Sequence, residues 1–158
     1  MYNFLECTVG QFMVGQPKAL HPSLTLRELE LLFEADDFNG YPVLEDGKLV
    51  GFVTKFDFLK AFAFTTQQLV PHYDELMLLT VGEIMTTSVI HVSPDQPLTR
   101  ALQLMLETRA RSFPVLDDGG KLVGVISRQD IMRALNQATL STRKTAKPSF
   151  ETLSGTIP

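Results

Sequence analysis

The sequence contains few of the residues that disulfide, metal and nucleic-acid chemistry require. One cysteine and three histidines in 158 residues exclude an internal disulfide and leave too few ligands for a thiolate-rich zinc site. Fourteen basic and eighteen acidic side chains give a net charge of -4, whereas non-specific nucleic-acid binding relies on a basic excess. We therefore expect neither a metal ion nor a nucleic acid as a partner.

Long apolar runs, targeting signals and catalytic motifs are also missing. No run approaches the ~18 apolar residues of a membrane span, and residues 1–6 lack the basic region of a signal peptide. There is no Gly-x-Ser-x-Gly elbow and no Gly-x-x-x-x-Gly-Lys-Ser/Thr phosphate loop, and Cys7, His21, His72 and His91 lie far apart in sequence. These absences predict a cytoplasmic protein that is not an enzyme and has no membrane partner.

What the sequence does contain is an internal repeat. Residues 41–44 (Tyr-Pro-Val-Leu) are matched by residues 113–116 (Phe-Pro-Val-Leu), 72 positions later. One residue is then inserted at a glycine turn, so that Lys-Leu-Val-Gly at 48–51 recurs at 121–124, 73 positions later. Because turns tolerate insertions, this change of offset fits two copies of one unit.

The repeat divides the chain into four segments. The two copies occupy residues 8–62 and 80–135. Residues 63–79 contain no glycine and many apolar side chains, so we expect a packed linker rather than a flexible tether. Residues 136–158 form a polar C-terminal tail, and beyond Ala138 its Ser/Thr-rich, basic composition is typical of disorder.

Each copy is predicted to contain a strand, a helix, two strands and a final helix (β-α-β-β-α), which is an α/β (α+β) arrangement. Thr25 and Glu28 have the spacing of a capping box at the start of the first helix. Two apolar stretches, 41–44 and 49–53, flank the turn Glu-Asp-Gly-Lys and predict a β-hairpin. Since one copy of roughly 55 residues would be marginally stable alone, we expect the copies to share a core built on their sheets.

A polar signature follows the last strand of each copy: Thr54 and Asp57 in the first, Ser127 and Asp130 in the second. At a helix start, a hydroxyl and free backbone N–H groups favour an anion, and the aspartate can accept two hydrogen bonds from a diol. The pair therefore suits a phosphate and a ribose. A hydroxyl residue followed three positions later by an acid is also an ordinary helix cap, and the residues alone leave both interpretations open.

The two copies resemble a tandem pair of cystathionine β-synthase (CBS) domains. The resemblance rests on the opening through Met85, on residues 92–95 (Val-Ser-Pro-Asp) and 113–117 (Phe-Pro-Val-Leu-Asp), and on the Gly-hydrophobic-hydrophobic-Thr/Ser-x-x-Asp close, and it covers residues 8–136. It implies a pseudo-twofold module with two clefts between the repeats. Such clefts bind adenosine-containing regulatory ligands such as AMP, ADP, ATP or S-adenosylmethionine, with no cofactor required.

The resemblance also implies roles for individual positions. Thr54 and Ser127 correspond to hydroxyls that contact phosphate, and Asp57 and Asp130 to carboxylates that contact ribose. The further phosphate candidates are basic: Lys18, Arg109, Arg111 and Arg128. The base pocket is expected to involve the Pro-Val strands, the ends of the strands that follow them, and the early strands 18–20 and 90–92: Ala19, Leu20, Tyr41, Pro42, Val43, Val53, Ile90, His91, Phe113, Pro114, Val115 and Ile126. Tyr41 and Phe113 are equally well explained as plain core aromatics.

Basic residues are unevenly shared between the copies. Arg109 and Arg111 precede the Phe-Pro strand of the second copy, whereas Asp37 occupies the matching region of the first. Arginine is a strong phosphate partner, so we expect phosphate-rich ligands to depend on the second copy.

The sequence is consistent with two functions. One is a sensor of an adenosine-containing ligand that transmits a conformational change to an unidentified regulated protein. The other is a dimeric scaffold or interaction module that has lost ligand binding. Either allows a homodimer through the helices that follow Thr54 and Ser127, because their apolar faces are wider than one small core needs.

Overall fold

The computed structural model describes residues 2–63 and 72–145, and for residue 2 and residues 141–145 it describes the backbone alone. The first half of the chain contains, in order, α1 (Tyr2–Leu5), α2 (Val9–Phe12), β1 (Val14–Gly15), α3 (Leu26–Ala35), β2 (Gly40–Glu45), β3 (Lys48–Thr54) and α4 (Lys55–Ala61). The second half contains α5 (Tyr73–Leu76), α6 (Val81–Ile84), α7 (Leu98–Thr108), β4 (Ser112–Leu116), β5 (Leu122–Ser127) and α8 (Arg128–Thr145).

Each repeat has an antiparallel hairpin between its two helices, as predicted. Strands β2 and β3 pair in the first repeat, and β4 and β5 in the second. In the first hairpin Asp46 and Gly47 both have positive φ, 49° and 76°, which is the geometry that an Asp-Gly turn favours. The capping box from Thr25 to Glu28 is formed at the start of α3.

The opening segment of each repeat crosses to the other repeat. Strand β1 pairs antiparallel with β5, with Val14 opposite Val125. In the reciprocal contact, Phe52 on β3 and Thr86 exchange two backbone hydrogen bonds of 2.9 Å. The two halves therefore hold each other through main-chain pairing as well as side-chain packing.

Each of the two hydrophobic cores contains residues from the opening segment of the other repeat. Val9 on α2 is fully buried in the core formed by the second repeat, with Leu98 among its members. Val81 on α6 is fully buried in the core of the first repeat, together with Leu26 and with Met77 from the linker. Neither repeat has a complete core without the opening helix of the other.

Two features differ from the sequence expectations. The early strands expected at 18–20 and 90–92 are reduced to single parallel bridges, Leu20 to Val43 and Val92 to Val115. The disorder expected beyond Ala138 is wrong for residues 139–145, because α8 continues to Thr145. The helix is anchored just before this stretch by Ala138, which is buried in the core. The linker's residues 64–71 and the tail's residues 146–158 lie outside the described residues.

Candidate functional site

The polar signature of each repeat forms a complete capping box. In the first, the backbone N–H and the Oγ1 hydroxyl of Thr54 donate to Asp57 Oδ2 over 2.9 and 2.8 Å, and the Asp57 N–H donates back to Oγ1 over 3.1 Å. In the second, Ser127 and Asp130 repeat this pattern at 2.8, 2.7 and 3.3 Å. The fold thus uses these side chains to start α4 and α8.

The two aspartates are the buried charged side chains of the described part of the chain, each 4% exposed. Their second carboxylate oxygens pair with a cation one turn later on the same helix. Asp57 Oδ1 lies 2.9 Å from Lys60 Nζ, and Asp130 Oδ1 lies 2.7 Å from Arg133 Nη2. These cations compensate part of the cost of burying each carboxylate.

A cleft of about 660 Å³ contains the first capping box and is called here the arginine cleft. The first repeat contributes Thr54 and Asp57 to its lining, among others. The second repeat contributes, among others, Ile90, Arg109, Arg111, Phe113 and Pro114. The volume lies within the ~300–1,000 Å³ typical of small-molecule sites.

A second cleft, of about 340 Å³, contains the other capping box and is called here the tyrosine cleft. Ser127 and Asp130 of the second repeat line it together with Lys18, Tyr41 and Pro42 of the first. Each cleft therefore combines the hydroxyl and carboxylate of one repeat with the Pro-Val strand of the other. This cross-pairing follows from the exchange of the opening segments.

The arginine cleft is strongly cationic. Its lining carries four basic side chains and one carboxylate: Lys55, Lys60, Arg109, Arg111 and Asp57. Arg111 Nη1 donates to Asn39 Oδ1 across the repeats over 3.2 Å. The arginines of the second repeat thus lie beside Thr54 and Asp57 of the first, and not beside Ser127 and Asp130.

The tyrosine cleft contains a hydrogen-bonded cluster around Asp36. Asp36 Oδ2 accepts from Lys18 Nζ over 2.5 Å and from the Tyr41 hydroxyl over 2.8 Å. The hydrogen bond from Lys18, and then that from Tyr41, hold the pKa of Asp36 below its usual range. Burial, reinforced by Asp36, raises the pKa of Tyr41. At neutral pH the cluster therefore holds an ionised carboxylate and a neutral phenol.

Eight of the residues that the sequence analysis assigns to ligand binding do not line either cleft. All eight belong to the described part of the chain. Leu20, Val43, Val53, Val115 and Ile126 are buried in the two cores, while Ala19 and His91 are exposed. Arg128 donates to the carbonyl oxygens of Ala110 and Arg109 over 3.0 and 2.7 Å. It therefore supports the loop after α7, in which Arg109 has a φ of 58°.

Sequence reasoning missed Asp36 and the two compensating cations. Lys60 and Arg133 occupy equivalent places in the two copies, three residues after each buried aspartate. That spacing on a helix is the signal that could have identified them. Asp36 gives no such signal, because its partner Lys18 is 18 positions away.

A family model described as "CBS domain" matches residues 9–64 and 81–137. The chain belongs to the CBS domain family. The resemblance to a tandem CBS pair is thereby confirmed. Among the described residues, no helix has the length and apolar character needed to cross a membrane. The same part of the chain holds no group of three or more His, Cys, Asp or Glu side chains placed to bind a metal ion.

Several CBS proteins are similar to this chain over most of its length. "CBS domain-containing protein CBSX1, chloroplastic" from Arabidopsis thaliana is 36% identical over 154 residues, which cover 82% of this chain and 64% of that protein. The crystal structure of CBSX2 in complex with AMP has 35% identity and a TM-score of 0.70, covering 84% of this chain and 98% of that one. The CBS domain pair of MJ0100, in complex with 5′-methylthioadenosine and S-adenosyl-L-methionine, has 26% identity and the same TM-score and coverage. These similarities confirm the CBS-pair fold.

Proposed function

We propose that this CBS pair is a regulatory module, without catalytic activity of its own, that binds an adenosine-containing ligand in the clefts between its repeats. The observation that carries the proposal is the placement of a buried aspartate and a hydroxyl beside the Pro-Val strand of the opposite repeat. The AMP complex of CBSX2 and the nucleoside complexes of MJ0100 support the ligand class.

In the arginine cleft each part of a nucleotide has a suitable partner. Asp57 offers carboxylate acceptors to a ribose diol, since a carboxylate has about four acceptor sites and the described donors are Thr54 and Lys60. Ile90 and Phe113 present apolar surface to a base, and Arg111 presents charge-assisted donors to a phosphate. The ligand therefore contacts both repeats at once.

A ligand that bridges the repeats stabilises one relative arrangement of them. It changes the conformational equilibrium only as far as it binds one arrangement more tightly than the other. The regulated partner is a protein that distinguishes the two arrangements. The ligand itself is the only small molecule that this function requires.

Replacing Asp57 by alanine tests the role of the ribose contact. We expect Asp57→Ala to weaken adenosine and AMP binding by about 1–3 kcal/mol in titration calorimetry, because the ribose hydrogen bonds are lost. Glu28→Ala is the matched control, since it removes the third-position acid of the capping box on α3, outside the lining of either cleft. If the two variants lose similar stability and bind both ligands as tightly as the parent, the carboxylate is only a cap. A dimer that binds no adenosine compound would favour the scaffold function instead.

The exposed apolar residues of α4 and α8 lead us to propose a homodimer. Phe56 and Leu59 on α4 and Met132 on α8 are 70%, 63% and 62% exposed, and exposed apolar patches are typical of interfaces. Light scattering should give the mass of a dimer for the parent. The substitution Leu59→Lys should shift it toward the monomer, whereas Leu78→Lys, at a position that is 67% exposed outside both helices, should not. A monomer mass for the parent at micromolar concentration would exclude this assembly.

A further inference from the structure

We propose that the tyrosine cleft selects adenosine compounds whose 5′ substituent is uncharged, such as a 5′-alkylthio nucleoside, and disfavours the phosphorylated nucleotides that suit the arginine cleft. This inference rests on the proposed function and adds a division of ligand class between its two clefts. It depends on charge, on volume and on the cluster around Asp36.

The two linings have opposite charge. The tyrosine cleft carries two carboxylates, Asp36 and Asp130, and one basic side chain, Lys18, whereas basic side chains dominate the arginine cleft. The repeat alignment contributes to the contrast, because Asp36 of the first copy corresponds to uncharged Thr108 of the second, which lines the arginine cleft. A 5′-phosphate entering the tyrosine cleft would approach Asp36 and also Asp130, although Arg133 compensates part of the charge of Asp130.

The single cation of the tyrosine cleft is already paired. Lys18 Nζ lies 2.5 Å from Asp36 Oδ2, and the same oxygen accepts from the Tyr41 hydroxyl. A phosphate that contacts Lys18 would therefore lie close to the ionised carboxylate of Asp36, which already neutralises this cation. An uncharged 5′ substituent makes no such demand, and it avoids the cost of bringing a dianion beside Asp36.

The size and surface of the tyrosine cleft agree with this ligand class. Its volume of about 340 Å³ is roughly half that of the arginine cleft, which fits a nucleoside better than a nucleotide with a phosphate chain. Phe38 lines it with 43% of its surface exposed, and its ring is held edge-to-face against Tyr41 with the centroids 5.7 Å apart. An exposed ring fixed in this way offers a stacking surface to a purine.

The ligand in the tyrosine cleft can be followed by fluorine NMR on the full chain labelled with 3-fluorotyrosine. The chain has three tyrosines, and Tyr41→Phe identifies the signal of Tyr41. We expect 5′-methylthioadenosine to shift this signal at concentrations about tenfold lower than AMP requires. Equal or tighter binding of AMP at Tyr41, or no response of this signal to either compound, would overturn the division of ligands.

Removing the negative charge of Asp36 gives a second test. Asp36→Asn releases Lys18 and removes one negative charge, so AMP should gain about tenfold in affinity at the Tyr41 signal while 5′-methylthioadenosine changes little. Asp37→Asn removes the same charge at the adjacent exposed position, outside the lining of either cleft, and should leave both affinities unchanged. No gain for AMP in Asp36→Asn would contradict the proposal. If Asp36→Asn does not fold, the titration of the parent decides alone.

Failure of this inference is distinguishable from failure of the proposed function. Calorimetry of the parent with AMP and with 5′-methylthioadenosine reports binding at either cleft. Binding of AMP in calorimetry, with no preference for the nucleoside at Tyr41, overturns only the division of ligands. No binding of either compound overturns the proposed function itself.

Discussion

Replacing Gly124 by alanine should destabilise the protein by about 1–3 kcal/mol, the usual cost of forcing extra volume into a packed contact. A Cβ at this position would lie 2.5 Å from Met13 Sδ and 2.9 Å from the backbone oxygen of Val14. The methionine can move, but the carbonyl belongs to β1 and cannot retreat without opening its pairing with β5. Urea denaturation of the parent and the variant measures the effect.

The control for this substitution lies directly across the same pair of strands. Gly15 is the register partner of Gly124, and a Cβ on Gly15 would meet nothing within 4 Å. Gly15→Ala should therefore leave stability within about 0.5 kcal/mol of the parent. Equal effects of the two substitutions would show that the crossing of β1 onto the second repeat does not hold the halves together.

Replacing Arg111 by alanine should weaken AMP binding by about tenfold or more, since a hydrogen bond to a charged group contributes about 1.5–3 kcal/mol. The affinity for adenosine should fall much less, because adenosine has no phosphate. The difference between the two ligands should shrink as salt rises, because Arg111 is exposed and exposed charges are screened. Calorimetry at two ionic strengths measures both effects.

A loss of net positive charge alone could also weaken the binding of an anionic ligand. The variant Arg100→Ala controls for this effect. Arg100 is an exposed residue of α7 outside the lining of the arginine cleft. It should change AMP affinity by less than about twofold, as expected for a charge screened from the site. Equal losses of adenosine and AMP in Arg111→Ala would place this arginine in the fold rather than at a phosphate.

The sequence predicted the structure best where the spacing of apolar residues and the internal repeat indicated the same element. The repeat could be predicted because the two copies are similar in sequence. The hairpins around the turns at 45–48 and 117–120 and the capping box at Thr25 could be predicted because they depend on contacts that are local in sequence. Both copies of the Thr/Ser-x-x-Asp signature were identified for the same reason. Their geometry as helix caps is local, and it is formed in both repeats.

Long-range pairing was beyond the reach of the sequence. The exchange of β1 and of the segment at Thr86 joins residues more than thirty positions apart, and no local pattern specifies such a partner. Placement of the arginines beside Thr54 and Asp57 follows from that exchange, so it could not be predicted either. Tyr41 and Phe113 are core residues as deeply buried as Val43 and Val115. The two aromatic residues nevertheless line the clefts, whereas the two valines do not.

Hydrogen–deuterium exchange in the presence and absence of AMP tests the central claim most directly, because it locates the ligand on both repeats at once. We expect AMP to slow exchange in two segments that are distant in sequence, 52–60 of the first repeat and 108–114 of the second, which line the arginine cleft together. Protection should be lost from both segments in Asp57→Ala at the same AMP concentration. Protection of neither segment at saturating AMP, or of one without the other, would contradict binding between the repeats.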